Sequence, residues 1–316
     1  MKVAILGTWH VHAPQYTEVA RGLGEVIGVY EDNARWRSAF AEKYSITEFN
    51  TVEELLASDC EGVIVCASTD RHADLIVAAA NAGKHIFTEK VLALTVEECL
   101  RVKEAVERNG VRFVISYPWK TDPSILAVKN AVDKGMVGKV NYLRFRNCHS
   151  GSVRHWLPAH FYNAEQCGGG AMIDLGAHGM YLAHWVLGEP VSYSSSFTHF
   201  CRDEKDAVLN PSQLEDNAVT VMTYESGAIA VNETGFVSQG CPEMFEVGGN
   251  MGYLTCTRAG AWYTPAGTFT PTAIDLPEKP KSPLECFLTE APIEGCGIDE
   301  AIALTKMMVG AYCNRI

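Results

Sequence analysis

Asp174 and His178 are the residues whose types and spacing most directly suggest chemistry in this sequence. They lie in the segment 167–188, where three consecutive glycines precede a mostly apolar stretch that we predict to be helical. On a helix, side chains four residues apart share one face. A carboxylate in that position can orient an imidazole and stabilise its protonated form, as a general base requires. A structural pair that stitches the helix would have the same spacing, so both interpretations remain open.

A second set of polar residues follows the apolar runs in the first third of the chain. The runs "KVAIL", "VIGVY", "GVIVCAS" and "HIFTE" read as buried strands, and an open parallel sheet binds ligands beyond the carboxyl ends of its strands. Gly7 stands where a dinucleotide-binding loop has its first glycine. Glu31 stands where a carboxylate would bond a ribose diol. Taken alone, Gly7 could be an ordinary turn glycine and Glu31 an ordinary exposed acid. Their joint placement at the ends of neighbouring strands favours a cofactor site. The candidate cofactor-binding residues are Gly7, Thr8, Trp9, His10, His12, Glu31, Ala67, Ser68, Thr69, His72, Glu89 and Lys90.

Histidines and aromatic residues are concentrated between residues 148 and 167. The spacings match no standard zinc pattern, and no C-x-x-C accompanies them, so we expect no metal. A sugar-binding surface explains this mixture better than a zinc site, because it combines flat apolar faces with hydrogen-bonding groups. Trp156 and His149 are the candidates for such a surface.

Composition excludes several classes of partner. The chain has 316 residues and a formal net charge of −12, which argues against nucleic acid and against an anionic membrane surface. The 11 cysteines are scattered, so we expect them to be reduced and mostly buried. The sequence shows neither a signal peptide nor an apolar stretch of transmembrane length, and we expect a cytoplasmic protein.

Two domains are predicted from the change in periodicity along the chain. Strands and helices alternate up to about residue 120, which is typical of a doubly wound parallel sheet. Alternating strands and hairpin signals dominate from Ala218 onward. We therefore predict an α/β protein with domains at residues 1–120 and 121–316.

The chain resembles the Gfo/Idh/MocA family of nicotinamide-dependent oxidoreductases over almost its whole length. "GKHIFTEKVLALTVEE" is similar to the family's G-K-H-V-x-x-E-K-P-x-A-x-T-x-x-E segment, and "GGGAMIDLGAHGMYLAHWVLG" to its G-G-G-x-x-x-D-x-G-x-H-x-x-D segment. The resemblance implies an N-terminal Rossmann domain of residues 1–120 that binds the dinucleotide. It also implies a C-terminal α/β domain of residues 121–316, with a large, open, mainly antiparallel sheet, for substrate binding and oligomerisation. A homodimer or homotetramer would form through the outer face of that sheet.

The same resemblance implies roles for individual residues. His178 would act as general base in oxidation and general acid in reduction, and Asp174 would support its orientation and charge. Lys90 would hydrogen-bond the reacting oxygen. If Asp174 and His178 only bind substrate, Lys90 becomes the proton carrier. The candidate catalytic residues are Lys90, Asp174 and His178, and the candidate substrate-binding residues are Lys90, Tyr117, His149, Trp156, Asp174, His178 and Tyr181.

Four positions depart from the family pattern. Val91 replaces the proline of E-K-P, and Tyr181 replaces the final acid of H-x-x-D, which removes a charge near the substrate. In the loop "GTWHVHAP", Trp9 and His12 replace the second and third glycines. A wider loop bound through backbone N–H groups, histidines that face the phosphates, and lost affinity are all compatible with this change. We expect a working site with an unusual loop and with Trp9 beside the nicotinamide.

Taken together, these features predict an NAD(P)-dependent dehydrogenase or reductase that acts on the CH–OH group of a sugar, cyclitol or related compound. Glu31 favours NAD, because it would repel a 2′-phosphate, while Arg35 leaves NADP open. An NAD-dependent glycosidase of the same family and a non-catalytic nucleotide- or sugar-binding protein are the alternatives.

Overall fold

The computed structural model describes residues 1–315. Its helices are α1 (Ala13–Leu23), α2 (Ala34–Tyr44), α3 (Val52–Leu56), α4 (Thr69–Asn81), α5 (Val96–Asn109), α6 (Pro123–Asp133), α7 (Ala164–Cys167), α8 (Ala171–Asp174), α9 (Gly176–Leu187), α10 (Glu204–Leu209), α11 (Pro283–Leu288) and α12 (Ile298–Cys313). Its strands are β1 (Lys2–Leu6), β2 (Glu25–Tyr30), β3 (Thr47–Glu48), β4 (Gly62–Val65), β5 (His85–Thr88), β6 (Phe113–Ile115), β7 (Val140–Cys148), β8 (Ser192–Thr198), β9 (Asn217–Thr223), β10 (Ile229–Gly235), β11 (Met244–Gly249), β12 (Gly252–Thr257), β13 (Gly260–Pro265) and β14 (Thr272–Ala273). Short 3-10 turns cover Pro118–Thr121 and Ala159–Tyr162.

The chain divides into two units, and each unit consists of two separate segments of the sequence. The first unit contains Met1–Tyr117 and Lys281–Thr305, and the second contains Pro118–Pro280 and the residues from Lys306 onward. The sequence analysis places residues 281–305 in the second domain. In the structure they group with the first unit, because α11 packs against α1 and β6.

The first unit is built on a six-stranded parallel sheet with the order β3-β2-β1-β4-β5-β6. The apolar residues Val3–Leu6 of β1 and Gly62–Val65 of β4 are buried at its centre, as expected for strands covered on both faces. The strand order reverses between β1 and β4, and doubly wound folds bind ligands at the carboxyl ends of such a pair. The predicted Rossmann sheet is confirmed.

The second unit contains an eight-stranded sheet with the order β14-β13-β12-β11-β7-β10-β9-β8. Among the paired strands of this sheet within residues 1–315, only β7 and β10 run parallel, so the predicted mainly antiparallel sheet is also confirmed. Helices α6, α8 and α9 pack on one face, and the alternating side chains of each strand divide between that face and the other. On β7, Leu143 and Phe145 are buried, while Arg144 points to the opposite face and pairs with Glu233 of β10.

No helix within residues 1–315 has both the length and the apolar character needed to cross a membrane. The eleven cysteines are free thiols, and most of them are buried.

Candidate functional site

Gly7 occupies a position that only glycine fits. Its φ is +86°, and a Cβ added there would lie 2.4 Å from the backbone N and Cα of Ala67. Its N–H donates to the carbonyl oxygen of Tyr30 over 2.8 Å. The glycine therefore lets the ends of β1, β2 and β4 converge where the sequence predicts a cofactor loop.

Glu31 anchors this loop through hydrogen bonds to Thr8. Only 6% of the residue is exposed. Its Oε2 accepts the backbone N–H of Thr8 at 2.7 Å and the Thr8 hydroxyl at 3.2 Å, while Oε1 accepts the N–H of Asn33 at 3.0 Å. Because an ionised carboxylate oxygen can accept more than one hydrogen bond, Oε1 retains capacity for a hydroxyl donor.

A buried cluster around Glu89 contains both histidines of the loop. Nδ1 of His12 lies 2.7 Å from Oε1 of Glu89, Nδ1 of His10 lies 3.7 Å from the same atom, and the N–H of Lys90 donates to Oε2 at 3.1 Å. Burial acts to raise the pKa of Glu89, but the two histidines and Lys90 outweigh it and hold the pKa well below its usual range. The cluster is thus built around a charged carboxylate directly before Lys90.

Tyr16 belongs to this cluster, and the sequence analysis missed it. Its hydroxyl hydrogen-bonds Glu89 and lies 2.7 Å from the hydroxyl of Ser116. Burial, followed by the negative charge of Glu89, raises the pKa of Tyr16 well above its ordinary value. The signal was present, because Tyr16 follows His12 by four residues and therefore shares its side of α1.

His72, a predicted cofactor-binding residue, contacts the backbone through both ring nitrogens, and its role toward the cofactor stays a prediction. The side chain is 1% exposed, and its two ring nitrogens lie 3.0 Å from the carbonyl oxygen of Val91 and 3.1 Å from that of Ala67. Burial lowers the pKa of His72. The ring thus ties together the backbone after β4 and the backbone after β5, where the Lys90–Val91 peptide is cis. Ser68 and Thr69 stand at the start of α4.

Tyr117, a predicted substrate-binding residue, lies in the core of the first unit. The residue is completely buried, and its hydroxyl donates to the carbonyl oxygen of Glu300, also in the first unit, over 3.1 Å. Its role in substrate binding stays a prediction.

In the second unit, the triple glycine ends at a site of very close packing. A Cβ on Gly169 would lie 1.9 Å from the Tyr312 hydroxyl, and one on Gly170 would lie 2.0 Å from the carbonyl oxygen of Glu215. Oε1 of Glu215 accepts the N–H groups of Gly170 and Met172 and the hydroxyl of Tyr312. Glu215, which the sequence analysis missed, therefore fixes the start of α8.

Asp174 and His178 do not share one regular helix, contrary to prediction. Asp174 ends α8, Leu175 interrupts the helix, and His178 lies in the first turn of α9. Added Cβ atoms on Gly176 and Gly179 would approach the Asn232 amide to 3.4 and 2.1 Å respectively. The glycines thus let this segment lie directly against β10.

His178 is held by contacts from its own helix and from the preceding 3-10 turn. It is 8% exposed, and its Nδ1 lies 3.0 Å from the hydroxyl of Tyr181. The same hydroxyl accepts the backbone N–H of Trp119 at 3.2 Å. Tyr181 is only 2% exposed and is a buried partner of His178. Its role in substrate binding stays a prediction.

His149 and Trp156 form an aromatic group on the loop after β7. His149 stacks on Phe236 with ring centroids 4.8 Å apart, and the Trp156 ring lies 4.7 Å from His149. Burial lowers the pKa of His149, while the nearby charge of Asp174 acts in the opposite direction. Trp156 is 53% exposed, so this group presents an apolar surface next to a polar one.

Two groups in the described residues bring potential metal ligands within 4.8 Å of one another, although the sequence analysis expects no metal site. One consists of His10, His12 and Glu89, in which His12 hydrogen-bonds Glu89 through its side chain and His10 through its backbone N–H. The other consists of Cys201, Asp206 and Asp216. Both carboxylates of the second group have partners, since Asp206 pairs with His199 at 2.8 Å and Asp216 accepts the N–H groups of Phe200 and Cys201.

Comparison with known proteins identifies the family. The model of the oxidoreductase family with an NAD-binding Rossmann fold, Gfo/Idh/MocA, matches residues 1–117, and the model of the Gfo/Idh/MocA C-terminal domain matches residues 125–255.

Two curated relatives and one solved structure illustrate the similarity. The inositol 2-dehydrogenase of Salmonella typhimurium is 30% identical over 239 residues, which are 74% of this chain and 66% of that protein. The 1,5-anhydro-D-fructose reductase of Ensifer adhaerens is 27% identical over 249 residues, which are 78% of this chain and 72% of that protein. A levoglucosan dehydrogenase in complex with NADH and levoglucosan has the same fold, with a TM-score of 0.83, 16% identity and coverage of 99% of this chain and 96% of that one. The chain belongs to the Gfo/Idh/MocA family of oxidoreductases.

Proposed function

We propose that this protein is an NAD-dependent oxidoreductase that transfers a hydride between nicotinamide and a secondary hydroxyl or ketone of a sugar, cyclitol or related compound. The observation that carries the proposal is the placement of Gly7 and Glu31. Gly7 follows β1 and packs on Ala67 after β4, where the strand order reverses, and Glu31 follows the neighbouring strand β2 and bonds the same loop. The family match and the names of the relatives support the same reaction class.

The residues of the loop fit a dinucleotide. Gly7 brings the backbone close to Ala67, and the loop leads into α1, whose N-terminal end favours negative charge. The His12 side chain is 39% exposed, so its imidazole can reach a bound phosphate. A glycine at this position would offer the phosphate only its backbone N–H. In this proposal Glu31 bonds the adenosine ribose, while Trp9, His10 and His12 replace the missing glycines in shaping the phosphate site.

NAD is the proposed cofactor because Glu31 lies buried where we propose that the ribose binds. A phosphate on the 2′ oxygen would meet this carboxylate at close range, and like charges repel strongly where water is excluded. Arg35, on the first turn of α2, is the group through which NADP could be accommodated.

The proposed catalytic groups are Lys90, Asp174 and His178. NAD, when bound, supplies the carbon that accepts or returns the hydride. His178 takes the hydroxyl proton during oxidation and returns it during reduction, and Asp174 supports its charge. Lys90 donates a hydrogen bond to the reacting oxygen and stabilises the negative charge that develops there. If His178 only binds the substrate, Lys90 carries the proton instead.

For substrate recognition we propose the aromatic group of Trp156 and His149. An exposed indole beside hydrogen-bonding groups suits the C–H face and the hydroxyls of a polyol. We further propose that the protein works in the cytoplasm as a homodimer or homotetramer, joined through the sheet face opposite α8 and α9.

Cofactor titration tests the proposal. NADH and NADPH are titrated against the protein while tryptophan emission and energy transfer to the nicotinamide are followed. We expect NADH to bind at least about tenfold more tightly than NADPH, a difference of about 1.4 kcal/mol. Glu31→Gln should reduce this preference, whereas Glu48→Gln, the same change on the exposed strand β3, should leave it unaltered. Failure of both cofactors to bind would refute the proposal.

Turnover of sugars and cyclitols then separates the remaining alternatives. A dehydrogenase consumes free cofactor in proportion to product. An enzyme that cleaves glycosides without net change in free cofactor would be the glycosidase of the same family, and cofactor binding with no turnover, unaltered in Lys90→Ala and His178→Ala, would indicate a binding protein.

A further inference from the structure

The hydroxyl of Tyr181 contacts His178 and the backbone of the 3-10 turn before α6. It accepts the backbone N–H of Trp119 at 3.2 Å and lies 3.0 Å from Nδ1 of His178. The tyrosine is 2% exposed, so solvent does not compete for these contacts. The aromatic rings of His178 and Tyr181 meet edge to face, with centroids 5.6 Å apart.

A phenol differs from the acid that the family motif has at this position. A carboxylate only accepts hydrogen bonds, so it would keep a proton on Nδ1 of His178. A phenol both donates and accepts. The Tyr181 hydroxyl, 3.0 Å from Nδ1, can donate to a bare Nδ1 or accept from Nδ1–H. It can therefore support the neutral imidazole and the imidazolium alike.

We propose that Tyr181 is a positioning residue for His178, whose hydroxyl fixes the plane of the imidazole and supports the ring in both protonation states. The inference rests on the proposed function, in which His178 gives and takes a proton at its other nitrogen, Nε2. Replacement of the acid by tyrosine would then leave the ring able to serve both directions of the reaction.

The other ionisable groups near His178 come from the elements packed against α9. Asp174 ends α8, and Lys120 of the 3-10 turn has its Nζ 5.3 Å from the ring centroid of Trp185 on α9. Strands β7 and β10 turn Phe145 and Asn232 toward the helices, whereas their charged side chains, Arg144 and Glu233, pair on the opposite face. His149 is coupled electrostatically to Asp174. Tyr181→Phe changes the identity of none of these groups.

Removal of the hydroxyl should act more strongly on the charged ring than on the neutral one. Hydrogen bonds from a charged donor are roughly twice as strong as those between neutral groups. Tyr181→Phe should therefore lower the pKa of His178 by about half a unit to one unit. The pH dependence of kcat/KM should shift in the same direction, with little change in the affinity for NADH.

NMR titration of histidine-labelled protein provides the test without cofactor or substrate. The His178 signal is assigned by its loss in His178→Gln, and its midpoint is compared in the wild type, Tyr181→Phe and Tyr162→Phe. Tyr162 is a matched control, since its buried hydroxyl lies 2.6 Å from the Ser152 hydroxyl. A midpoint lowered only in Tyr181→Phe supports the proposal, and an unchanged midpoint overturns it.

A wild-type measurement guards against misfolding of the variant. If the two side chains share a hydrogen bond, the ring carbon bearing the Tyr181 hydroxyl should titrate with the same midpoint as His178. Absence of this joint titration overturns the proposal. Failure of the proposed function would instead appear as missing NADH binding or turnover, and the NMR result would remain interpretable.

Discussion

Single residues explain why the loop "GTWHVHAP" can depart from the glycine pattern and still have an ordered structure. Trp9 is 8% exposed, so its side chain lies in the protein rather than across the surface. His12 is the N-cap residue of α1 and bonds Glu89, a residue that follows β5. Trp9 and His12 show from the sequence alone that the loop departs from the glycine pattern. That Glu89 lies beside this loop is visible only in the folded structure.

The Glu89 cluster leads to a prediction for Tyr16. Tyr16→Phe removes a hydroxyl that bonds a buried, charged carboxylate, and such bonds contribute about 1.5–3 kcal/mol. We expect a loss of about 2 kcal/mol in the free energy of unfolding at pH 7, measured by urea denaturation.

Tyr30→Phe is the matched control for this prediction. Its hydroxyl donates to Asp32 at 2.7 Å in an exposed setting, where solvent replaces the bond, so the loss should stay below about 0.5 kcal/mol. Equal losses in the two variants would show that the buried cluster adds no stability beyond that of a surface contact.

Among the structural elements, the start of α8 and the interruption at Leu175 place the catalytic candidates of the second unit. The sequence motif correctly brings Asp174 and His178 into one segment. It does not reveal the interruption, because apart from the glycines every residue from Ala171 to Leu187 is compatible with a helix. The glycines pack against Asn232 of β10, a contact that the local sequence does not show. Glu215 was equally invisible, since it reaches α8 from 45 residues away along the chain.

Glu215 gives a prediction at this scale. Burial raises its pKa above the ordinary value of 4.5, and the hydrogen bond from Tyr312 offsets this only in part. The folded protein therefore binds more protons than the unfolded chain between pH 4.5 and the raised pKa. Glu215 therefore stabilises the fold most at or below pH 4.5. This contribution is lost as the pH rises through the pKa that Glu215 has in the folded protein.

Two substitutions separate charge from hydrogen bonding at Glu215. Glu215→Gln keeps the Oε1 acceptor without the charge, so it should be at least as stable as the wild type at pH 7, with the difference vanishing toward pH 4.5. Glu215→Ala loses the acceptor for all three donors and should cost at least about 2 kcal/mol at every pH. Thermal unfolding between these pH values measures both effects. A Glu215→Gln variant as unstable as Glu215→Ala would mean that the charge itself holds α8.

Over the whole molecule, the sequence predicts the two sheets well, because strand–helix alternation and period-two hairpins are local signals. The grouping of residues 281–305 with the first unit was not predictable in this way. Their apolar residues, such as Phe287, would suit the core of either unit, and the return of the chain depends on contacts of α11 with α1 and β6. The hydrogen bond of Tyr117 was not predictable for the same reason, since its partner, the carbonyl oxygen of Glu300, lies in this returning segment.

The open face of the second sheet leads to the last prediction. Val219 and Ile229 are 37% and 42% exposed on this face, beside the Arg144–Glu233 pair. If the face joins subunits, a lysine at position 219 would bury an unpaired charge, which costs several kcal/mol. Val219→Lys should therefore shift the protein toward monomer in size-exclusion chromatography with light scattering, at concentrations where the wild type is a dimer or tetramer. Val208→Lys, on the 78%-exposed side chain of α10, should leave the assembly intact. A wild type that is monomeric at high concentration, or a Val219→Lys variant that assembles normally, would remove the sheet face as the site of assembly.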